Sequence, residues 1–363
     1  MLKKDLTNLD EEIRALEAID YSPLYNEKLP AVTYGYIHAF KTIADSLKKK
    51  SFIHFTSGVL AGIWIGIAYI ACVYAAYSFT NPSVQKLLIG GILPLVLSLI
   101  YFIGGSFLTA FMSLGYPMMN GVARYKDFFK TMAAVYAGNI VGSVVICFLL
   151  ELANVFGDPE IAKFVVNNLG LKKLYVVGHQ IGDNISLASP NTKWYSSIDA
   201  PMVAKTIMWV FFSAIVCNML VSLSSQANKA TKGNLIGSII MFWILIFMFA
   251  ISGYQHCVAN WFVAGGLFFI SVFHESIGTA ANGGAIVPPL GICGLFILLN
   301  IIPAMLGNYF GAVIMGFLLA IFNTSYSKLL ISEYRLKLLK EERGNLEEKT
   351  LETSDDNKKT NKN

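Results

Sequence analysis

The stretch Gly253-Tyr254-Gln255-His256-Cys257-Val258-Ala259-Asn260-Trp261-Phe262 decides how this chain is read. Apolar sequence flanks it on both sides, residues 235–251 before and 263–272 after. A histidine, a glutamine and an asparagine thus sit where the hydropathy places a membrane interior. Polar groups are costly in hydrocarbon, and non-helical backbone is tolerated there only where it lines a cavity or is buried in protein. Two readings stand at this point. One is a polar helix end, or a histidine bonded inside a helix bundle; the other is a site on a path through the membrane.

Composition supports the membrane. Of 363 residues, 55% are hydrophobic and 14% charged, with a mean hydropathy of +0.56, whereas a soluble domain carries about a quarter charged residues. The formal charge of +5 calls for no nucleic-acid partner, because the cations cluster at the ends of apolar segments. The cysteines, Cys72, Cys147, Cys217, Cys257 and Cys293, all lie in apolar stretches without metal-ligand spacing and read as small hydrophobes. No cofactor is implied. The beginning, Met1-Leu2-Lys3-Lys4-Asp5, runs into acidic sequence and does not read as a cleavable signal.

Six apolar segments follow from this. Residues 1–50 are polar and begin with an amphipathic helix that Asn8 could cap, its acidic face suiting a surface or subunit contact better than a membrane anchor. Span one covers about 52–79. Span two starts near Leu87, breaks at Gly104-Gly105-Ser106-Phe107-Leu108-Thr109, resumes at Ala110 and stops at Pro117. Span three covers 128–156, and a mixed, polar connection follows over 157–201. Span four covers 202–224, span five begins at Leu235 and contains the opening stretch, and span six covers 290–322 after small residues at 276–289. In the charged tail, 327–347 is compatible with helix and the final dozen residues read as disordered. The domain reading is therefore 1–50 terminal segment, 51–322 transport domain, 323–363 tail. Lysine and arginine placement (Lys48 to Lys50, Arg124, Lys126, Lys130, Lys229, Lys232 and the tail) puts both termini in the cytoplasm of a multi-pass protein of the plasma membrane.

The halves repeat. Span three contains Gly138-Asn139-Ile140-Val141-Gly142 and span six Gly307-Asn308-Tyr309-Phe310-Gly311, and in each half the preceding span is the interrupted one. Three spans per copy make the copies inverted in topology. Inverted repeats with broken helices place a substrate path near the bilayer midplane. The fold class read from this is an all-α membrane protein, six transmembrane helices in an inverted repeat with helices two and five interrupted.

These motifs, with Cys217-Asn218-Met219-Leu220-Val221 in span four and Asn300-Ile301-Ile302-Pro303 in span six, resemble the formate/nitrite transporter family of pentameric anion channels and transporters. The resemblance covers about residues 51–322. It implies an aquaporin-like arrangement, one pore per protomer and a homopentamer carrying a small anion, with protons and the lipid bilayer as the other partners. It makes His256 the central histidine, Thr109 the hydroxyl opposite, and Asn218 and Asn260 polar groups near them. Phe107 and Leu108, with Val221, become the cytoplasmic constriction. Leu97 and Phe249 are the outer candidates from spacing along their helices. Gly104, Gly105, Ser106, Gly253 and Gln255 belong to the breaks. Two departures stand out: Ser106 and Gln255 occupy positions where the family usually carries acids. The vestibule lysine expected near Met202 is absent, with Lys205 one turn on.

A formate-like anion crosses an apolar constriction far more easily as its neutral acid, and histidine is the side chain suited to proton exchange near neutral pH. The reading is transport of a formate, nitrite, lactate, acetate or hydrosulfide-class anion, with proton transfer from His256 or through water. Direct anion passage past His256 as a fixed donor is the rival scheme. A water or small neutral-solute channel is the alternative function; the Asn-Pro-Ala pair it would favour is missing, since the one Asn-Pro is Asn81-Pro82 in a connection. No paired carboxylates or nucleophile–base set suggests an enzyme.

Overall fold

The computed structural model describes residues 2–185, 198–274 and 289–360, with side chains at 7–181, 198–274 and 291–348. The expected small-residue stretch at 276–289 lies almost wholly outside the described residues. Six helical segments are long and apolar enough to cross a membrane: Ser51–Ala76, Pro82–Ile103, Tyr125–Leu152, Ala200–Ala230, Leu235–Ser252 and Gly291–Phe322. All described regular structure is helical.

The starts of the spans are set by side chains that satisfy free backbone donors. Asn81 accepts from Ser83 N at 2.9 Å with Pro82 as the first helical residue, so span two begins before the expected Leu87. Asp199 caps span four through Met202 N at 2.8 Å, and Asn234 caps span five through Gly237 N at 2.8 Å. Span two kinks at Pro94 and ends at Ile103. There Gly104 (φ 115°) and Gly105 (φ 143°) take backbone angles closed to side-chain-bearing residues. Span five ends on Gly253 in the left-handed conformation (φ 71°), and a second helix, Asn260–Phe273, restarts beyond the break.

Span one packs along span three, and span four along span six. The GNxxG glycines permit this. A Cβ on Gly138 would lie 2.2 Å from Phe55 O and one on Gly142 2.1 Å from Val59 O; at Gly307 and Gly311 the same atom would meet Phe211 O at 2.3 Å and Ile215 O at 2.2 Å. The asparagines between these glycines do equivalent work. Asn139 accepts from Leu108 N (3.0 Å) and donates to Gly58 O and Ser106 O. Asn308 accepts from Cys257 N (2.9 Å) and donates to Ala214 O and Gln255 O. Each interrupted span thus has its loose peptide groups satisfied by one buried amide of the next span in its own half, as an apolar surround requires. The inverted repeat is physical as well as sequential.

The N-terminal helix spans Leu2–Glu17, so Asn8 lies inside it and is not its cap. Its acidic face pairs within the chain with the C-terminal helix, Thr324–Thr360: Asp10 with Arg343 at 2.7 Å, Glu17 with Lys340 at 2.6 Å, and Glu12 with Arg335. The final dozen residues, expected to be disordered, continue this helix to Thr360; propagation costs far less than nucleation. Helix Ala31–Ser46 completes the packing, with Phe40 edge-on to Tyr334.

The 157–201 connection is no loose loop in its described part. Leu171, Leu174, Val177 and Ile181 are buried, and Tyr175 takes an unusual φ of 46° as the chain turns back toward the pore.

Candidate functional site

Both breaks place side chains at one level between the halves. His256 is buried, and its Nε2 lies 3.0 Å from Thr109 Oγ1. Its Nδ1 accepts the backbone N–H of Ala259 at 3.1 Å. A ring nitrogen that accepts an N–H carries no proton, so the imidazole is neutral here. Its one N–H, on Nε2, points at the Thr109 hydroxyl. Two aromatic rings flank the imidazole, each with its centroid 5.8 Å away: Phe249 stacked and Phe107 edge-on.

A small cavity of about 20 Å³ sits against this histidine. Leu97, Phe107, Val221, Phe249 and His256 all line it, with Ile65 and Ala259. That volume admits about one water molecule and excludes a larger solute. Leu108, expected beside Phe107, does not line it; the side chain is buried in the core while its N–H is held by Asn139. Thr109 reaches the site through His256 and not through the cavity wall.

The other polar candidates split into two groups. Asn218 is a tie between halves, donating to Asn308 O at 2.8 Å and to Thr109 O at 3.4 Å, and its Oδ1 is buried without a partner. Asn260 belongs to a separate network. It donates to Gln255 Oε1 (3.1 Å) and to Asn300 Oδ1, and it accepts from Lys173 Nζ at 2.6 Å. Gln255 Oε1 also accepts from Asn300 Nδ2 at 3.0 Å, and Gln255 Nε2 donates to Tyr175 at 3.2 Å. Lys173 further donates to Tyr69 at 3.2 Å.

Lys173 is the residue that sequence reading missed. Lys205, considered for this place, is exposed on span four, and the site's lysine comes from the 157–201 connection instead. A signal was present: Leu169, Leu171, Leu174 and Val177 surround the Lys172-Lys173 pair at spacings that bury a face. No carboxylate pairs with Lys173 among the described residues; amide and phenol oxygens receive its protons instead.

Ser106 likewise fills its position with neutral bonds. It donates N–H to Ser57 O at 3.0 Å and its hydroxyl accepts from Ser57 Oγ at 2.8 Å. In the other half Gln255 N donates to Ser213 Oγ at 3.3 Å.

The formate/nitrite transporter family model matches residues 36–322, more than half of the chain. The chain belongs to this family. It is 26% identical over 264 residues to the nitrite transporter NirC of Escherichia coli, covering 72% of this chain and 80% of the relative. The formate channel FocA of Haemophilus influenzae is 24% identical over 304 residues (80% of this chain, 94% of FocA). The formate-nitrite transporter of Entamoeba histolytica is 25% identical over 328 residues (85% and 78%). Among solved structures, a pentameric formate channel with formate bound matches with TM-score 0.53 and 23% identity, covering 76% of this chain and 98% of that one. An FNT family ion channel matches with TM-score 0.55 and 20% identity, covering 81% and 98%. These two likenesses establish the fold, that of formate/nitrite transporters. The family is one of transporters and channels, not of enzymes, and its match leaves the N-terminal helix and the C-terminal helix outside.

Proposed function

We propose that the protein carries a small monovalent anion of a weak acid, of the formate, nitrite, lactate, acetate or hydrosulfide class, across the plasma membrane as a homopentamer with one pore per protomer. Basic residues gathered on the side of both termini support a cytoplasmic location for them. The observation that carries the reading is the apposition of Thr109 to His256, which itself stands on the wall of a small apolar cavity. Bare charge has no counterpart in that wall; a charged side chain at mid-bilayer costs roughly 2.5–3.5 kcal/mol even on lenient scales. A neutral acid avoids this cost.

In this scheme Lys173, charged and without a carboxylate partner among the described residues, draws the anion to the Asn260 network on the side away from the termini. The anion takes up a proton from water on the side away from the termini, before the constriction, and leaves its charge in that solution. The neutral imidazole keeps its Nε2–H on Thr109 until the acid arrives, then shares it with a substrate oxygen as the acid passes Leu97, Phe249, Phe107 and Val221. The side chains of Phe107 and Phe249 must turn aside, because the cavity holds about one water. A water-channel role is not favoured, since the family relatives named above carry nitrite or formate in their names.

Reconstituted into liposomes, the protein is expected to pass formate and nitrite, and a His256→Phe variant that folds normally is expected to lose at least tenfold of that flux. Undiminished flux in the variant would remove the histidine from the scheme; a protein passing glycerol but neither anion would overturn the substrate class.

A further inference from the structure

At the face that carries the termini, a pocket of about 670 Å³ lies between the turn before span one, the start of span three and the C-terminal helix, away from the pore cavity. Lys48, Lys49 and Lys50 enter it from the turn before span one, and Arg124 and Lys130 from the start of span three. The C-terminal helix closes the far wall with Tyr334, Lys337 and Glu341. Six cationic and two acidic side chains line the space, so its field is positive.

The cations differ in what they are already doing. Arg124 lies 3.4 Å from Glu341 and 3.7 Å from Glu342, and Lys337 lies 2.7 Å from Glu333. Lys48, Lys49, Lys50 and Lys130 are exposed and make no ion pair among the described residues. Four free ammonium groups on the rim of one concavity repel one another, and an anion would relieve this.

Position identifies the anion. Directly after Lys50, Phe52 is 73% exposed, and beside Arg124 and Lys130 the rings of Tyr125 and Phe129 are 58% and 55% exposed. Tyrosine rings concentrate at the membrane–water interface, so Tyr125, the first helical residue of span three, marks that level. The pocket therefore opens at headgroup depth, with apolar side chains below it where acyl chains run. Basic pockets and lysine clusters next to spanning helices attract anionic lipid headgroups. We propose that this pocket binds the phosphorylated headgroup of an anionic phospholipid, which thereby bridges spans one and three to the C-terminal helix. A soluble phosphate ester would meet the same charges but gain nothing from Phe52 and Phe129.

The test uses the purified full-length protein in detergent and measures ligand-induced thermal stabilisation. Three probes are titrated: short-chain phosphatidylinositol bisphosphate, short-chain phosphatidylcholine and free inositol trisphosphate. Saturable stabilisation by the first, at concentrations at least tenfold below either of the others, is the expected result. Substitution of Lys48, Lys49 and Lys130 by Gln should weaken it by roughly a hundredfold, about fivefold for each basic residue near the surface. Removing the same charge from the opposite face, with Lys86→Gln, Lys163→Gln and Lys205→Gln, should leave it unchanged. The unliganded unfolding temperature of each variant separates lost binding from lost folding. Equal binding of phosphatidylcholine, or an unchanged affinity in the first triple variant, would overturn the proposal. Inositol trisphosphate binding as tightly as the lipid would overturn the membrane source of the phosphate.

Discussion

His256 and Lys173 divide the work at the site between a neutral donor and a fixed charge. The imidazole is held at both nitrogens, by Ala259 N–H and by the Thr109 hydroxyl, so its ring plane and its tautomer are set before any substrate arrives. Lys173 is held by Asn260 and Tyr69, without a counter-charge among the described residues. Lys173→Met keeps the length of the side chain and removes the charge that gathers the anion. Its expected effect is an anion flux reduced about tenfold or more at low substrate, measured as initial rate against concentration, with much of the loss recovered at high concentration. A loss that is the same at every concentration would assign Lys173 to structure. Gln255 explains how this lysine is tolerated: its amide oxygen orients Asn260 and Asn300, whose own oxygen and nitrogen face Lys173 Nζ and Lys173 O. The histidine was legible from sequence because it interrupts an apolar run. For the lysine only the buried face around it was legible; that it turns inward to the pore depends on tertiary packing.

At the level of elements, the breaks are held open by buried amides in the neighbouring span. Asn139→Ala would leave Leu108 N–H and the carbonyls of Gly58 and Ser106 without their partner, and Asn308→Ala would do the same to Cys257, Ala214 and Gln255. Each substitution should cost about 1–3 kcal/mol per buried group left unsatisfied, read as a lowered midpoint of thermal unfolding in detergent. The GNxxG repeat announced this pairing in the sequence, because small residues flank a polar one at the same place in both halves. What the sequence could not show is which backbone groups the amides reach. Leu108 illustrates the limit: its position beside Phe107 suggested a place in the constriction, yet the loop turns its side chain into the core.

The C-terminal helix is latched by Glu333, which is buried against Lys41 (3.7 Å), Lys337 (2.7 Å) and the Tyr25 hydroxyl (2.5 Å). Burial alone would raise its carboxyl, but bonds from Lys337 and Tyr25 and the charge of Lys41 hold it below the usual carboxylate range. A depressed folded value means the latch contributes fully above the ordinary carboxylate range and loses strength as pH falls through the folded value. Hydrogen exchange of residues 324–348, taken relative to the intrinsic amide rate at each pH, should accelerate on acidification below about pH 4.5, the unfolded reference for a glutamate. Glu333→Gln should show that faster exchange already at pH 7; protection unchanged in the variant would deny the latch.

For the whole molecule, two inverted halves meet at a small apolar cavity lined by no charged side chain, flanked on one side by a lysine that pairs with no carboxylate among the described residues. Spans, breaks and repeat were legible because each rests on local chemistry: runs of about 20 apolar residues, paired glycines, a recurring asparagine. The clasp between the terminal helices was not, since its ion pairs join residues more than three hundred positions apart. The central claim is that the anion passes the cavity as its neutral acid. In proteoliposomes loaded at pH 7.5, the initial rate of formate uptake is predicted to rise up to about tenfold for each unit by which the outside is acidified, as the neutral fraction does, and a protonophore should abolish uphill accumulation. A formate flux indifferent to the proton gradient would contradict the account.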